Sequence, residues 1–197
     1  VNVPDVKGRE EIFKVHSRNK PLASDVNFKS LARLTVGFTG ADIENVLNES
    51  AILAARDNRK LITMKDISEA VNKVEAGPAK KSRLVTETDK RITAYHESGH
   101  AIIAKKLGNN TVHEVTIIPR GQAGGFTISL PANDDAYMTK QKLLDRITEL
   151  LGGRAAEEIV IHDISTGASN DIQRASQIAR KMVTEWGMSD SIGNMYL

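Results

Sequence analysis

The stretch Glu87-Thr88-Asp89-Lys90-Arg91-Ile92-Thr93-Ala94-Tyr95-His96-Glu97-Ser98-Gly99-His100-Ala101-Ile102-Ile103-Ala104-Lys105-Lys106-Leu107 decides how the chain is read. Apolar residues recur in it at helical spacing, and Ala94, Ala101, Ile102, Ile103 and Leu107 form the expected buried stripe. On a helix, His96 and His100 stand one turn apart, about 40° around the axis and about 6 Å along it. Two imidazoles so placed can converge on one Zn2+ at about 2.0–2.1 Å from nitrogen. Glu97 is offset from His96 by about 100°, so it need not bind the ion and can instead take a proton from a water there. The competing reading is three ordinary polar residues on a helix surface. Gly99 weighs against it, because a glycine inside a helix costs about 1 kcal/mol relative to alanine. Close approach of another backbone, or of the far wall of a metal site, would account for it.

The totals narrow the field. The chain has 197 residues, 40% hydrophobic and 26% charged, with a formal net charge of +2. That is enough for one large domain or two small ones with real cores. The charge balance argues against a nucleic-acid footprint, and the densest basic run, Lys80-Lys81-Ser82-Arg83, reads as a solvated linker. Cysteine is absent, so disulfides are excluded and any zinc site must use histidine and carboxylate. No apolar run reaches the length of about 18 residues needed to span a membrane, and no signal peptide is visible. The opening Val1 and the abrupt stop at Leu197 suggest a piece of something longer.

Working outward from the motif, the expected fold is mainly α with a small β-hairpin. Residues 1–76 form a compact all-helical module. A short amphipathic helix covers Gly8 to His16, and Ser24 or Asp25 caps a second helix that turns Phe28, Leu31, Ala32 and Leu34 inward. Thr39 caps a long third helix running to Arg56, and Thr63 caps a fourth. Residues 77–84, with Gly77, Pro78 and the basic run, mark a linker, and 85–197 form the second domain. There Val112–Ile118 and Phe126–Leu130 alternate and should pair as a hairpin. Its free edge is free to receive an extended peptide or simply to cover the core. A helix starting at Thr139 is expected to break at Gly152-Gly153 and resume through Arg154–Val160. The small-residue loop Ser165–Asp171 then leads into a last helix.

A catalytic zinc site usually takes three protein ligands and keeps one position open. After His100 the chain offers His113, Glu157, Glu158, His162, Asp163 and Asp171. Only one of Glu157 and Glu158 can face the ion. Asp171 has the advantage of following a loop of small residues, but it could equally complement a helix dipole. Residue chemistry alone leaves Asp171 and the Glu157/Glu158 pair both open.

Five blocks, in order, resemble the FtsH family of membrane-anchored, ATP-dependent zinc metalloproteases. They are Gly37-Phe38-Thr39-Gly40-Ala41-Asp42, Thr93–Ala101, Val115–Gly121, Gly152–Glu158 and Ser165–Asp171. The resemblance covers nearly the whole chain. It implies a helical AAA+ lid followed by a mostly helical zinc peptidase domain, truncated at both ends. It implies His96, His100 and Asp171 as zinc ligands, Glu97 as catalytic base, and Gly40 and Ala41 near bound nucleotide. The cofactors it implies are Zn2+ and, in the full-length parent only, ATP with Mg2+. Its implied partners are unfolded or membrane-associated protein substrates and further copies in a homo-hexamer, with no nucleic acid. Anchoring would run through segments absent here, placing the parent on the cytoplasmic face of the inner membrane and leaving this piece soluble. The sequence departs from the family in lacking the phosphate-binding Gly-x-x-x-x-Gly-Lys-Ser/Thr loop, and Ser98 replaces a usual alanine. The alternative from another class is a non-catalytic assembly module in which the histidine helix is only structural.

Overall fold

A computed structural model describes residues 3–78, 85–120, 123–131 and 137–196. The chain divides into two compact units, Val1–Lys80 and Lys81–Leu197. Much of the expected linker, at 79–84, lies outside the described residues.

The first unit holds four helices: α1 (Val6–His16), α2 (Phe28–Leu34), α3 (Gly40–Arg56) and α4 (Met64–Ala76). Their starts follow from short oxygen-bearing side chains that accept otherwise orphaned backbone N–H groups. Asp5 does this for α1, while Thr39 and Thr63 build reciprocal caps with Asp42 and Asp66. The cap of α2 is Asn27, not Ser24 or Asp25, whose side chains precede the helix by several residues. Asp25 instead accepts from the Met64 N–H at 3.2 Å, across to the start of α4. Phe13, Leu31, Ala32, Ile43, Val46, Leu47, Ile67, Ala70 and Val71 have no exposure and form the core. A parallel bridge between Leu22 and Ile62 ties the two connecting loops.

The second unit comprises α5 (Glu87–Leu107), β1 (Asn110–Thr116), β2 (Phe126–Pro131), α6 (Lys140–Ala156) and α7 (Ser169–Thr184). β1 and β2 pair antiparallel, with the register skipping between Val112 and Glu114 at a bulge. β1 starts and ends two residues earlier than alternation suggested. α6 packs against both α5 and α7. Gly152-Gly153 does not break α6; the helix runs through both glycines and then widens into a π-turn at Glu157–Ile161. The reason is contact. A Cβ on Gly99 would collide with the Gly152 carbonyl oxygen and sit 2.7 Å from the Ala156 Cβ. The glycines let two helix backbones touch.

The expected stripe on α5 is not its buried face. Ala94, Ala101 and Ile103 are half-buried, Leu107 is exposed and Ile102 is 66% exposed, and the inward positions belong to His96, Glu97, Gly99 and Ala104. Polar residues hold the interior face of this helix.

In the first unit, Asp66 both caps α4 and receives a two-pronged contact from Arg59, 2.6 Å on each side. The Arg59 guanidinium holds the Asp66 carboxyl well below the usual carboxylate range, against the opposing effect of burial. A depressed folded-state pKa stabilises above the unfolded value of about 3.9, and the gain is lost as pH falls through the folded value. Asp66→Ala should cost about 2 kcal/mol at neutral pH, through the lost cap and unpaired partners. The difference from the parent should shrink as the pH is lowered past about 3.9. Native-state hydrogen exchange of the α3 and α4 amides would read this, and an equal difference at all pH values would contradict it.

Candidate metal centre

His96 and His100 lie one turn apart on α5, and Asp171 lies in the first turn of α7. The two Nε2 atoms are 3.0 Å apart, and Asp171 Oδ2 is 3.4 Å from each. Among the described residues this is the one group of three or more His, Asp or Glu residues whose ligand atoms converge.

The outer nitrogens fix the tautomers. His100 Nδ1 lies 2.8 Å from the Glu149 main-chain oxygen, which can only accept, so Nδ1 carries the proton. His96 Nδ1 lies 2.6 Å from Glu157 Oε1, and the other Glu157 oxygen accepts the Ser165 N–H at 2.7 Å. A carboxylate so placed accepts a hydrogen bond from the His96 Nδ1–H, which keeps its proton. Both Nε2 lone pairs therefore face each other and the Asp171 carboxylate. Three acceptors sharing one spot repel unless a cation joins them. Three donors about 2.0–2.1 Å from a tetrahedral ion stand about 3.3 Å apart. The observed spacings of 3.0, 3.4 and 3.4 Å match such a face. The donor set of two imidazoles and a carboxylate fits zinc.

The electrostatics agree. Burial disfavours charge on both imidazoles, yet Asp171, helped by Glu157 at His96 and the Glu149 carbonyl at His100, raises both above the ordinary histidine value. Burial likewise pushes the Asp171 carboxyl up, but the His100 and His96 imidazoles, when they carry a proton on Nε2, hold it far below the usual range. The cluster attracts positive charge. Beside it, Glu97 is 7% exposed, and Thr127 of β2 donates to its Oε2 at 2.8 Å. Burial raises the Glu97 carboxyl, with the Thr127 hydroxyl and the two imidazoles pulling the other way.

The remaining sequence candidates separate cleanly. Glu157 is fully buried but touches the outer nitrogen of His96 rather than the converging atoms. Glu158, His113, His162 and Asp163 are exposed. Gly40 and Ala41 open α3 in the first unit, just after the Thr39 cap.

Comparison with known proteins follows the same division. Residues 83–197 match the profile described as Peptidase family M41. The chain belongs to peptidase family M41. Residues 25–69 match that of the AAA+ lid domain. The chain is 61% identical over 196 residues to "ATP-dependent zinc metalloprotease FtsH 1" of Thermoanaerobacter sp. (strain X514), covering 99% of this chain and 32% of that one. It is 59% identical over 196 residues to FtsH 2 of Alkaliphilus metalliredigens (strain QYMF), covering 99% of this chain and 28% of the relative. Over 194 residues it is 57% identical to FtsH of Bacillus subtilis (strain 168), covering 98% and 30% respectively. It thus spans about a third of the length of the curated relatives it matches.

Three contributors in this M41 chain escaped the sequence reading. Thr127 reads as an ordinary strand residue, and Glu149 contributes a main-chain oxygen that no side-chain pattern reveals. Gly153 did carry a signal, a second glycine inside a helical run. A Cβ there would lie 2.5 Å from His96 Cε1 and 2.6 Å from His100 Nε2. Gly153→Ala should favour α6 by helix propensity, worth about 1 kcal/mol, yet push the imidazoles apart. Cobalt titration of the M41 chain should show divalent-metal affinity reduced by about tenfold or more. Unchanged affinity would mean that the rings do not need that gap.

Proposed function

We propose that His96, His100 and Asp171 hold a zinc ion and that Glu97 is the general base of a peptide-bond hydrolase. The observation that carries this reading is the convergence of two Nε2 atoms and one carboxylate oxygen at tetrahedral spacing, with both Nδ1 atoms already engaged. A zinc ion held there supplies Lewis-acid polarisation of the scissile carbonyl and lowers the pKa of water towards about 7. Glu97 takes the water proton on one carboxylate oxygen while Thr127 steadies the other, and later gives it to the leaving amine. Burial, by raising the Glu97 carboxyl, makes it a stronger base than a solvated glutamate. Glu157 and the Glu149 carbonyl hold the imidazoles in the tautomer that keeps Nε2 available.

The domain reading belongs to the same proposal: residues 1–76 end an AAA+ module with its lid, 77–84 connect, and 85–197 form the peptidase. In the whole protein, ATP hydrolysis would drive unfolded or membrane-associated polypeptides to the site. The lid match and the names of the relatives, ATP-dependent zinc metalloproteases, support this. Gly40 and Ala41 would lie near nucleotide there, and a homo-hexamer on the cytoplasmic face of the membrane would be the working form. No helix among the described residues is long and apolar enough to cross a membrane, so anchoring would fall to other segments. The assembly-module alternative leaves the buried cluster and the close glycine packing around it without a purpose.

In the full-length protein, Glu97→Gln should retain stoichiometric zinc and lose cleavage of an unstructured protein by about 1000-fold or more. Asp171→Ala should lose zinc itself. Normal proteolysis by Glu97→Gln would exclude the assigned base, and full metal content in Asp171→Ala would exclude the assigned ligand.

A further inference from the structure

Glu149 is a buried carboxylate that the proposed chemistry does not use, at 6% exposure on the inner side of α6. Its side chain is surrounded by donors from three elements. One oxygen accepts from the Ser129 hydroxyl on β2. The other accepts from Asn110 Nδ2, at the first residue of β1, and from Arg146 Nη1 on its own helix, both at 2.9 Å. The same residue's main-chain oxygen receives the His100 Nδ1 proton at 2.8 Å. Glu149 therefore stands between one metal-facing histidine and both strands of the hairpin.

Ser129 is two residues beyond Thr127, so strand alternation puts both hydroxyls on one face of β2. Each meets a buried carboxylate: Thr127 on Glu97 of α5, Ser129 on Glu149 of α6. Thr127 also lies 3.1 Å from the Glu97 main-chain oxygen. Two hydroxyl–carboxylate hydrogen bonds, one to each helix, fix where β2 stands beside the metal cluster.

We infer that Glu149 is a positioning residue: through Ser129 and Asn110 it docks the hairpin against α6, and so holds Thr127 where it can orient the Glu97 carboxylate. The inference rests on the proteolytic reading of Glu97. Its contact with the metal side runs through a backbone oxygen, which every substitution keeps. Removing the side-chain acceptors should therefore loosen the hairpin and misalign Glu97 without emptying the metal site. A residue that only stabilised the fold would lose zinc and structure together, and its effect would multiply with that of any other change.

The test is a double-substitution cycle in the full-length protein, with rates expressed per bound zinc. Glu149→Gln preserves volume but replaces an accepting oxygen with a donor, facing Ser129 or the Asn110–Arg146 pair. It should bind zinc stoichiometrically, speed amide exchange in β1 and β2 by about tenfold, and lower kcat by about tenfold with little change in KM. Thr127→Val should lower kcat similarly. The double variant should be no slower than the slower single variant, within about twofold. Losses that multiply, or hairpin exchange unchanged in Glu149→Gln, would overturn the inference. Should the unaltered protein bind no zinc, or Glu97→Gln remain active, the proteolytic reading fails first. Hairpin exchange in Glu149→Gln would still decide whether the docking contact exists.

Discussion

Two helix backbones touch where Gly99 faces Gly152, and the second unit is built around that contact. Side chains would keep α5 and α6 apart at the usual interaxial distance of about 8–10 Å. Glycines at 99, 152 and 153 remove that spacing. Only then can the main-chain oxygen of Glu149 reach His100, and only then do the two imidazole rings fit over Gly153. The cost, about 1 kcal/mol for each helical glycine, falls on helix stability and is offset by packing between the helices. The π-turn that follows α6 extends the same logic, since it ends the regular helix where Glu157 must reach both His96 and the Ser165 N–H.

That contact also explains why the interior of α5 is polar. A buried histidine or carboxylate is tolerated only when each polar atom finds a partner. His96 and His100 have their outer nitrogens satisfied by α6 and the π-turn, while Glu97 has Thr127. What the protein leaves unresolved is the meeting of three acceptors at the centre. The imbalance is local, and a cation corrects it. Structure and chemistry thus point the same way: the ion that would complete the packing is also the one that would activate water.

The sequence showed where the helices lie more clearly than how they meet. Thr39 and Thr63 could be recognised as caps, and Thr139 as a helix start, because these signals depend on the few residues beside them. The histidine pair was legible because its spacing is set within one helix. Asp171 was not decided by residue chemistry, because its place depends on how α7 approaches α5, a contact between elements far apart in sequence. Glu157, offered with Glu158 as the alternative ligand, instead meets the outer nitrogen of His96, since periodicity cannot tell whether a carboxylate reaches the inner or the outer nitrogen of a ring. Gly152-Gly153 was misread as a break for the same reason. A glycine that ends a helix and one that admits a neighbouring backbone look alike until the neighbour is known. Ile102 shows the converse error, an apolar residue at helical spacing left 66% exposed because the inward positions were taken by the site.

The two units distribute their interiors differently, and the difference has a physical consequence. The first unit encloses an apolar core in which Phe13, Leu31, Ile43, Leu47 and Ile67 are wholly buried, a ledger typical of a domain stabilised by hydrophobic area. Among the described residues of the second unit the buried apolar ones are fewer, with Ala104, Leu143, Leu150, Ala168, Ala175 and Met182 beside buried His96, Glu97, Glu149 and Glu157. Here α6 packs on α5 and on α7, and the cluster reaches across it from α5 to Asp171 on α7. An ion bound only by the folded form stabilises by RT ln(1 + [L]/Kd), about 4.1 kcal/mol at a thousandfold excess over Kd. That is comparable to the burial of two large aliphatic side chains at about 1.5–3 kcal/mol each. The second unit thus places polar groups where apolar core would otherwise sit, and an ion held by those three ligands would both activate water and add stability.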